Sequence, residues 1–202
     1  MNVILLRLSG GRNASFRSYG RGLNGVERQF SFWTGGVRSD QVLGRTWGIR
    51  GETPEVSTSG KRQSVNAISA VNARGEFWYE TYTERLNATR FIELVSNFMH
   101  RRKQPVFLVL DRHPAHIAKS VAVYVQSLKG RLELHFLPGY APELNPDEFV
   151  WNHLRQQGVS KTPLRQDESL KKRVESDLAE VKSCPRLVRS FFRTPSVAYT
   201  TD

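Results

Sequence analysis

Cysteine is nearly missing from this chain: Cys184 is the single one among 202 residues. An internal disulfide and a cysteine-rich zinc site are thereby excluded, which fits a reducing compartment. Long hydrophobic runs are missing too. The opening Met1-Asn2-Val3-Ile4-Leu5-Leu6-Arg7-Leu8 is too short for a signal core, and its basic residue follows the apolar run instead of preceding it. No stretch approaches the roughly 18 apolar residues of a membrane span. Acid is scarce relative to base: 19 Asp+Glu face 30 Lys+Arg, a net charge of +11. What remains is an ordinary globular composition, 39% hydrophobic and 24% charged. A cytoplasmic, nucleoid-associated protein with no membrane partner is the expectation. The excess of base points to a polyanionic partner, although a basic surface by itself speaks to association and solubility, not to fold.

Organisation changes along the chain. Residues 1–35 hold Gly10-Gly11, Gly20, Gly22 and Gly25 interleaved with Arg7, Arg12, Arg17, Arg21 and Arg28, and read as a basic arm ending in a short strand around Phe30–Trp33. Glycine turns are expected at Gly35-Gly36 and from Gly44 to Gly51. The runs 64–71 and 76–82 flank Asn72-Ala73-Arg74-Gly75, a hairpin signal. Asn87 suits the cap of a helix carrying Phe91, Leu94, Val95 and Phe98 at i, i+3, i+4, i+7 spacing. Val106-Phe107-Leu108-Val109-Leu110 is apolar throughout, the pattern of a central strand covered on both faces. Pro114 is expected to open a helix with an apolar stripe through Ala118, Val121, Val125 and Leu128. Leu132, Leu134 and Phe136 alternate as a strand, and Asn145-Pro146 opens another helix. A last helix is expected from about Asp167 to Cys184, stopped by Pro185, with Leu170, Val174, Leu178 and Val181 on one face. Hairpin first and strand–helix alternation later predict an α/β fold, a mixed sheet with helices on its faces. The divisions expected are 1–35, a core over 36–160 and a basic helical tail over 161–202.

Two carboxylates draw attention. Asp111 directly follows the apolar strand, at the strand end where open α/β sheets bind ligands; capping the following turn explains it equally well. Glu148 stands three residues after Asn145, and by local pattern alone an N-x-x-E capping box is the better reading, with Asp147 attracted to the positive helix end. Together they suggest more, because two carboxylates at one sheet edge can share a divalent cation. Two such ions about 4 Å apart stabilise both oxygens of a phosphodiester exchange.

The stretches Leu110-Asp111-Arg112-His113-Pro114-Ala115-His116 and Phe136-Leu137-Pro138-Gly139 through Pro142-Glu143-Leu144-Asn145-Pro146-Asp147-Glu148-Phe149-Val150-Trp151 strongly resemble DDE transposases of the mariner-like bacterial insertion-sequence superfamily. The stretch from Gly36 to Pro54 resembles them as well. The resemblance implies a ribonuclease-H-like catalytic domain, cleavage and strand transfer of transposon DNA, and Mg²⁺ or Mn²⁺ as cofactor. It implies Asp111 as the second catalytic acid and metal ligand and Glu148 as the third, with His116 and Arg112 as candidate phosphate contacts. It implies transposon-end and target DNA as partners, and a homodimer or an intact transposase. The position of the first catalytic aspartate falls on Trp33, followed by Thr34, and neither can serve as a carboxylate ligand. Asp40 is the nearest acid, but it matches a different position of the family pattern. The segment before the core is also too short for the family's helix-turn-helix regions. A truncated or frame-disrupted copy is therefore expected, with weak or absent catalysis. The codons of Trp33-Thr34, TGG followed by ACN, contain an aspartate GAC in another frame. The alternative is a non-catalytic DNA-binding or inhibitory remnant. An RNA-binding module fits poorly, since neither an aromatic sheet motif nor a glycine clamp loop is present.

Overall fold

The computed structural model describes residues 28–39, 62–139, 141–158, 164–165 and 167–200. The expected arm before Arg28, Asp40 and the glycine turns from Gly44 to Gly51 lie outside them.

Five strands form one mixed sheet in the order β3-β2-β1-β4-β5. They are β1 (Arg28–Arg38), β2 (Ser64–Val71), β3 (Phe77–Tyr82), β4 (Val106–Leu110) and β5 (Leu132–Phe136). β1 pairs antiparallel with β2 and parallel with β4, and β4 pairs parallel with β5. Helices α1 (Ala88–Met99), α2 (Lys119–Ser127), α3 (Pro146–Gln157), α4 (Leu170–Ser183) and α5 (Pro185–Phe191) cover its faces. The element order read from the sequence is the observed one through α4, and α5 follows as an unexpected further helix. Among the described residues, no helix is long and apolar enough to cross a membrane.

Period-two alternation sorts the strands between two cores. Phe30 and Phe32 of β1 face one way, with Ile68, Ala70, Leu108 and Leu110, and meet Phe91, Leu94, Val95 and Phe98 of α1. The α1 stripe is that of the sequence, and Asn87 caps it by accepting from Arg90 N at 2.8 Å. Trp33 and Val37 face the other way, with Val65, Ala67 and Val71, against α3, α4 and α5. Leu170, Val174, Leu178 and Val181 of α4 all enter that second core.

Several local expectations change. Gly35-Gly36 lies inside β1, paired with Ala67 and Asn66. A Cβ on Gly35 would overlap the Trp33 indole ring, so the glycine makes room for the indole folded over it. Pro114 falls in a turn, and α2 begins only at Lys119, with Val121 its one fully buried residue. Pro185 ends α4 but also opens α5 at the first helical position, where its missing N–H costs nothing. Gly75, with φ of +91°, closes the hairpin turn, and a Cβ there would meet the Pro185 carbonyl at 2.7 Å.

Candidate active site

The parallel ladder between β1 and β4 aligns Ser31 with Val109. Continuing that register by two residues sets Trp33 level with Asp111, on adjacent strands at one rim of the sheet. The helix bearing Glu148 packs on the same rim, and the Trp33 indole Nε1 donates to Glu148 Oε1 at 2.8 Å. Asp111, Trp33 and Glu148 are therefore neighbours through a strand ladder and a hydrogen bond, although Trp33 and Glu148 stand 115 residues apart in sequence.

Asp111 projects from the end of β4 with 60% of its side chain exposed. Its Oδ1 accepts from His113 N at 3.1 Å and stands 2.8 Å from His116 Nδ1. Partial burial pushes its pKa up, but the His116 hydrogen bond and charge, joined by the His113 backbone N–H, outweigh burial and hold the carboxyl below its ordinary value. His116 is 3% exposed and lies before α2 begins, tilted against Phe91 with 4.4 Å between ring centroids. It faces Asp111 instead of open solvent. Burial, then the neighbouring His116 charge, lowers the pKa of His113. Arg112 is exposed, its guanidinium 5.9 Å from the Phe136 ring centroid.

Glu148 does not close a capping box. Asn145 caps α3 by accepting from Asp147 N at 3.1 Å. The Asn145 N–H goes to the Pro142 carbonyl at 2.9 Å, while the Glu148 carboxylate turns to Trp33. Asn145 Nδ2 also donates to the Phe32 carbonyl at 2.9 Å, which staples the start of α3 to β1 beside Trp33.

Asp147, read from the sequence as a bystander at the helix end, is fully buried. Its Oδ1 accepts from Ser69 Oγ at 3.0 Å, and that hydroxyl accepts from Trp151 Nε1 at 2.7 Å. Burial raises its pKa well above the ordinary aspartate range; the Ser69 hydroxyl pulls down, the Glu148 charge pushes up, and the Trp33 backbone N–H pulls down. Buried Asp147 is thus part of the scaffold under Glu148. Nothing in the local sequence, Asn145-Pro146-Asp147-Glu148, distinguishes this burial from an ordinary acid in a first helical turn. Trp151 also stacks on Trp33, ring centroids 4.1 Å apart and 26° between planes.

Asp111 is largely exposed at this rim, whereas Glu148 is part-buried and held by the Trp33 indole. Level with Asp111 stands an indole N–H, which donates and cannot ligate. Among the described residues, no group of three or more His, Cys, Asp or Glu side chains is arranged to hold a metal.

A family model described as DDE superfamily endonuclease matches residues 34–171. No curated protein matches by sequence. Solved structures do. A Mos1 mariner paired-end complex with Mn is 17% identical, with a TM-score of 0.62, over 91% of this chain and 58% of that one. The Mos1 strand transfer complex is 16% identical, with a TM-score of 0.66, over 91% of this chain and 56% of that one. The isolated catalytic domain of Mos1 mariner transposase is 16% identical, with a TM-score of 0.58, over 91% of this chain and 86% of that domain. The chain therefore spans less than two thirds of the transposases in those complexes, and its fold is that of their ribonuclease-H-like catalytic domain. By its match over most of its length, the chain belongs to the DDE superfamily endonucleases.

Proposed function

We propose that this chain is the catalytic core of a DNA transposase whose cleavage and strand-transfer site is impaired by Trp33. The observation carrying the proposal is the 2.8 Å bond from Trp33 Nε1 to Glu148 Oε1, made by a residue level with Asp111. In this reading Asp111 and Glu148 are the acids that hold a divalent ion, Mg²⁺ or Mn²⁺. Such an ion, when bound, neutralises the charge that develops on the phosphoryl oxygens. His116 and the His113 N–H hold Asp111 in one orientation, and Asn145 and Asp147 fix the start of α3 so that Glu148 meets the same rim. Arg112, exposed beside Asp111, is the contact for the DNA phosphate; buried His116 positions Asp111.

Two carboxylates provide for one ion, and nothing at Trp33 serves a second. Phosphoryl transfer depends almost wholly on positioning and charge neutralisation, so loss of one acid removes most of the rate. The partners in this reading are transposon-end and target DNA, and a second copy or an intact transposase, with the nucleoid as the place of action. The snug fit of the indole over Gly35 favours a second reading, a stable DNA-binding remnant that inhibits intact copies.

Nicking of supercoiled plasmid and of terminal-repeat duplex in Mg²⁺ and in Mn²⁺ tests both. The natural chain should cut at background rates, and Trp33→Asp should gain metal-dependent nicking of at least tenfold that Asp111→Ala removes. Robust cutting by the natural chain, abolished by Asp111→Ala, refutes the impaired site. Nicking by Trp33→Asp that survives Asp111→Ala refutes the assignment of Asp111.

A further inference from the structure

The end of the sheet opposite the candidate site collects positive charge. β1, β4 and β5 are parallel, with Arg28 paired to Val106 and Val106 to Leu132, so all three start at this end. The turn that follows Val71, the partner of Ser31, lies there too. The loop after α1 brings Arg101, Arg102 and Lys103 to it, the loop after α2 brings Lys129 and Arg131, and the β2–β3 turn brings Arg74. Direct contacts make these one surface. Arg131 Nη2 donates to the Arg102 carbonyl at 2.6 Å, and Arg102 Nη1 meets Glu76 Oε2 at 3.2 Å. On the far side of the turn, Arg189 Nη1 donates to the Arg74 carbonyl at 3.3 Å. Arg102 is anchored from below, its guanidinium 4.6 Å from the Phe30 ring centroid and 4.2 Å from that of Phe98.

Helix dipoles account for part of this charge. α1 and α2 both end here, and each partially negative terminus favours a cation or two. Six cations exceed that, and the carboxylate among them, Glu76, is already engaged by Arg102. Arg74, Arg101, Lys103, Lys129 and Arg131 are exposed.

We infer that this rim is a second docking surface for the phosphate backbone of duplex DNA, separate from the rim of Asp111 and Glu148. The inference rests on the reading that DNA is the partner, and adds where a second segment of it lies. Strands about 4.8 Å apart put about 19 Å between the outer strands of the sheet. A duplex carries about one phosphate charge per 1.7 Å of axis, so that span meets about ten of them. Flexible arginines and lysines on loops contact phosphates without reading bases, and the surface binds without sequence preference.

Fluorescence anisotropy of the full chain on a short duplex of arbitrary sequence, with chelator and over a salt series, tests it. One variant combines Arg74→Gln, Arg101→Gln, Lys103→Gln and Lys129→Gln. A control removes three charges at the start of α4, away from this rim, through Arg165→Gln, Lys171→Gln and Lys172→Gln. The rim variant should lower the slope of log K against log salt by about 3 to 4 and weaken binding at least tenfold near physiological salt. The control should change affinity less than threefold. Equal loss in both variants, an unchanged slope in the rim variant, or stronger competition by single-stranded RNA than by duplex would overturn the inference. All four rim positions are exposed; should the combined variant melt early, the single changes Lys103→Glu and Lys129→Glu must still each weaken binding. No cleavage enters the measurement, so its failure is distinct from failure of the nicking assay.

Discussion

The two faces of the sheet are built on different principles. Under α1 and α2 the packing is apolar, with Phe30, Phe32, Phe91 and Phe98 at its centre and the Phe30–Phe98 and Phe32–Phe98 rings edge-on at 5.1 and 5.2 Å. Under α3 and α4 an apolar core of similar extent encloses a polar chain, Trp151 to Ser69 to Asp147, and the Trp33–Glu148 bond at its edge. The first face supplies bulk stability. The second spends polar groups in low dielectric to hold a short helix at one angle, because α3 carries the acid on which the candidate chemistry depends. Buried polar networks of this kind specify an arrangement when every member is satisfied, and weaken it when one is removed.

That contrast can be broken experimentally. The largest effect belongs to the apolar face. Phe91→Ala should destabilise the fold by about 3 to 5 kcal/mol in denaturant unfolding, since α1 cannot collapse into the void left at a fully buried ring. On the other face, Ser69→Ala deprives both the Asp147 carboxyl and the Trp151 indole of a partner and should cost about 1 to 3 kcal/mol. If it costs as much as Phe91→Ala, the faces are not energetically distinct. The subtlest effect is one of pH. Asp147 holds its proton in the fold, while the unfolded chain releases it above the ordinary value of 3.8, so its contribution to stability falls as pH rises from there toward the raised folded value. Asp111 has the opposite sign: its folded pKa is lowered, and its contribution is lost as pH falls below the ordinary value. Asp147→Asn should therefore flatten the decline above pH 4 without touching the acid limb, measured as melting temperature against pH. An unchanged profile would mean that Asp147 is ionised in the fold.

The apolar face was legible in most of its elements, the start of α2 excepted, since Pro114 lies in a turn and α2 begins at Lys119. The α1 stripe, its Asn87 cap and the Val106–Leu110 strand follow from spacing and local chemistry, and the structure has them at those positions. The site face was legible only in part. Gly35-Gly36 reads as a turn because glycine favours turns, yet pairing with β2 and the indole lying over Gly35 keep both residues in the strand. Pro185 reads as a stop, and it is also a start. The pattern from Asn145 to Glu148 reads as a capping box, but a tryptophan 115 residues upstream outcompetes the local partner for the Glu148 carboxylate. His116 reads as a candidate phosphate contact, and burial against Phe91 turns it toward Asp111.

The sequence by itself determined the order of strands and helices, the identity of the apolar faces and the family, because each rests on short-range periodicity or on contiguous motifs. Tertiary structure alone decided what the acids touch: the partner of Glu148, the burial of Asp147 and the alignment of Trp33 with Asp111. Those depend on strand register and helix docking across a hundred residues, where a contact is set by the shape of the whole core and leaves no periodic trace in the chain.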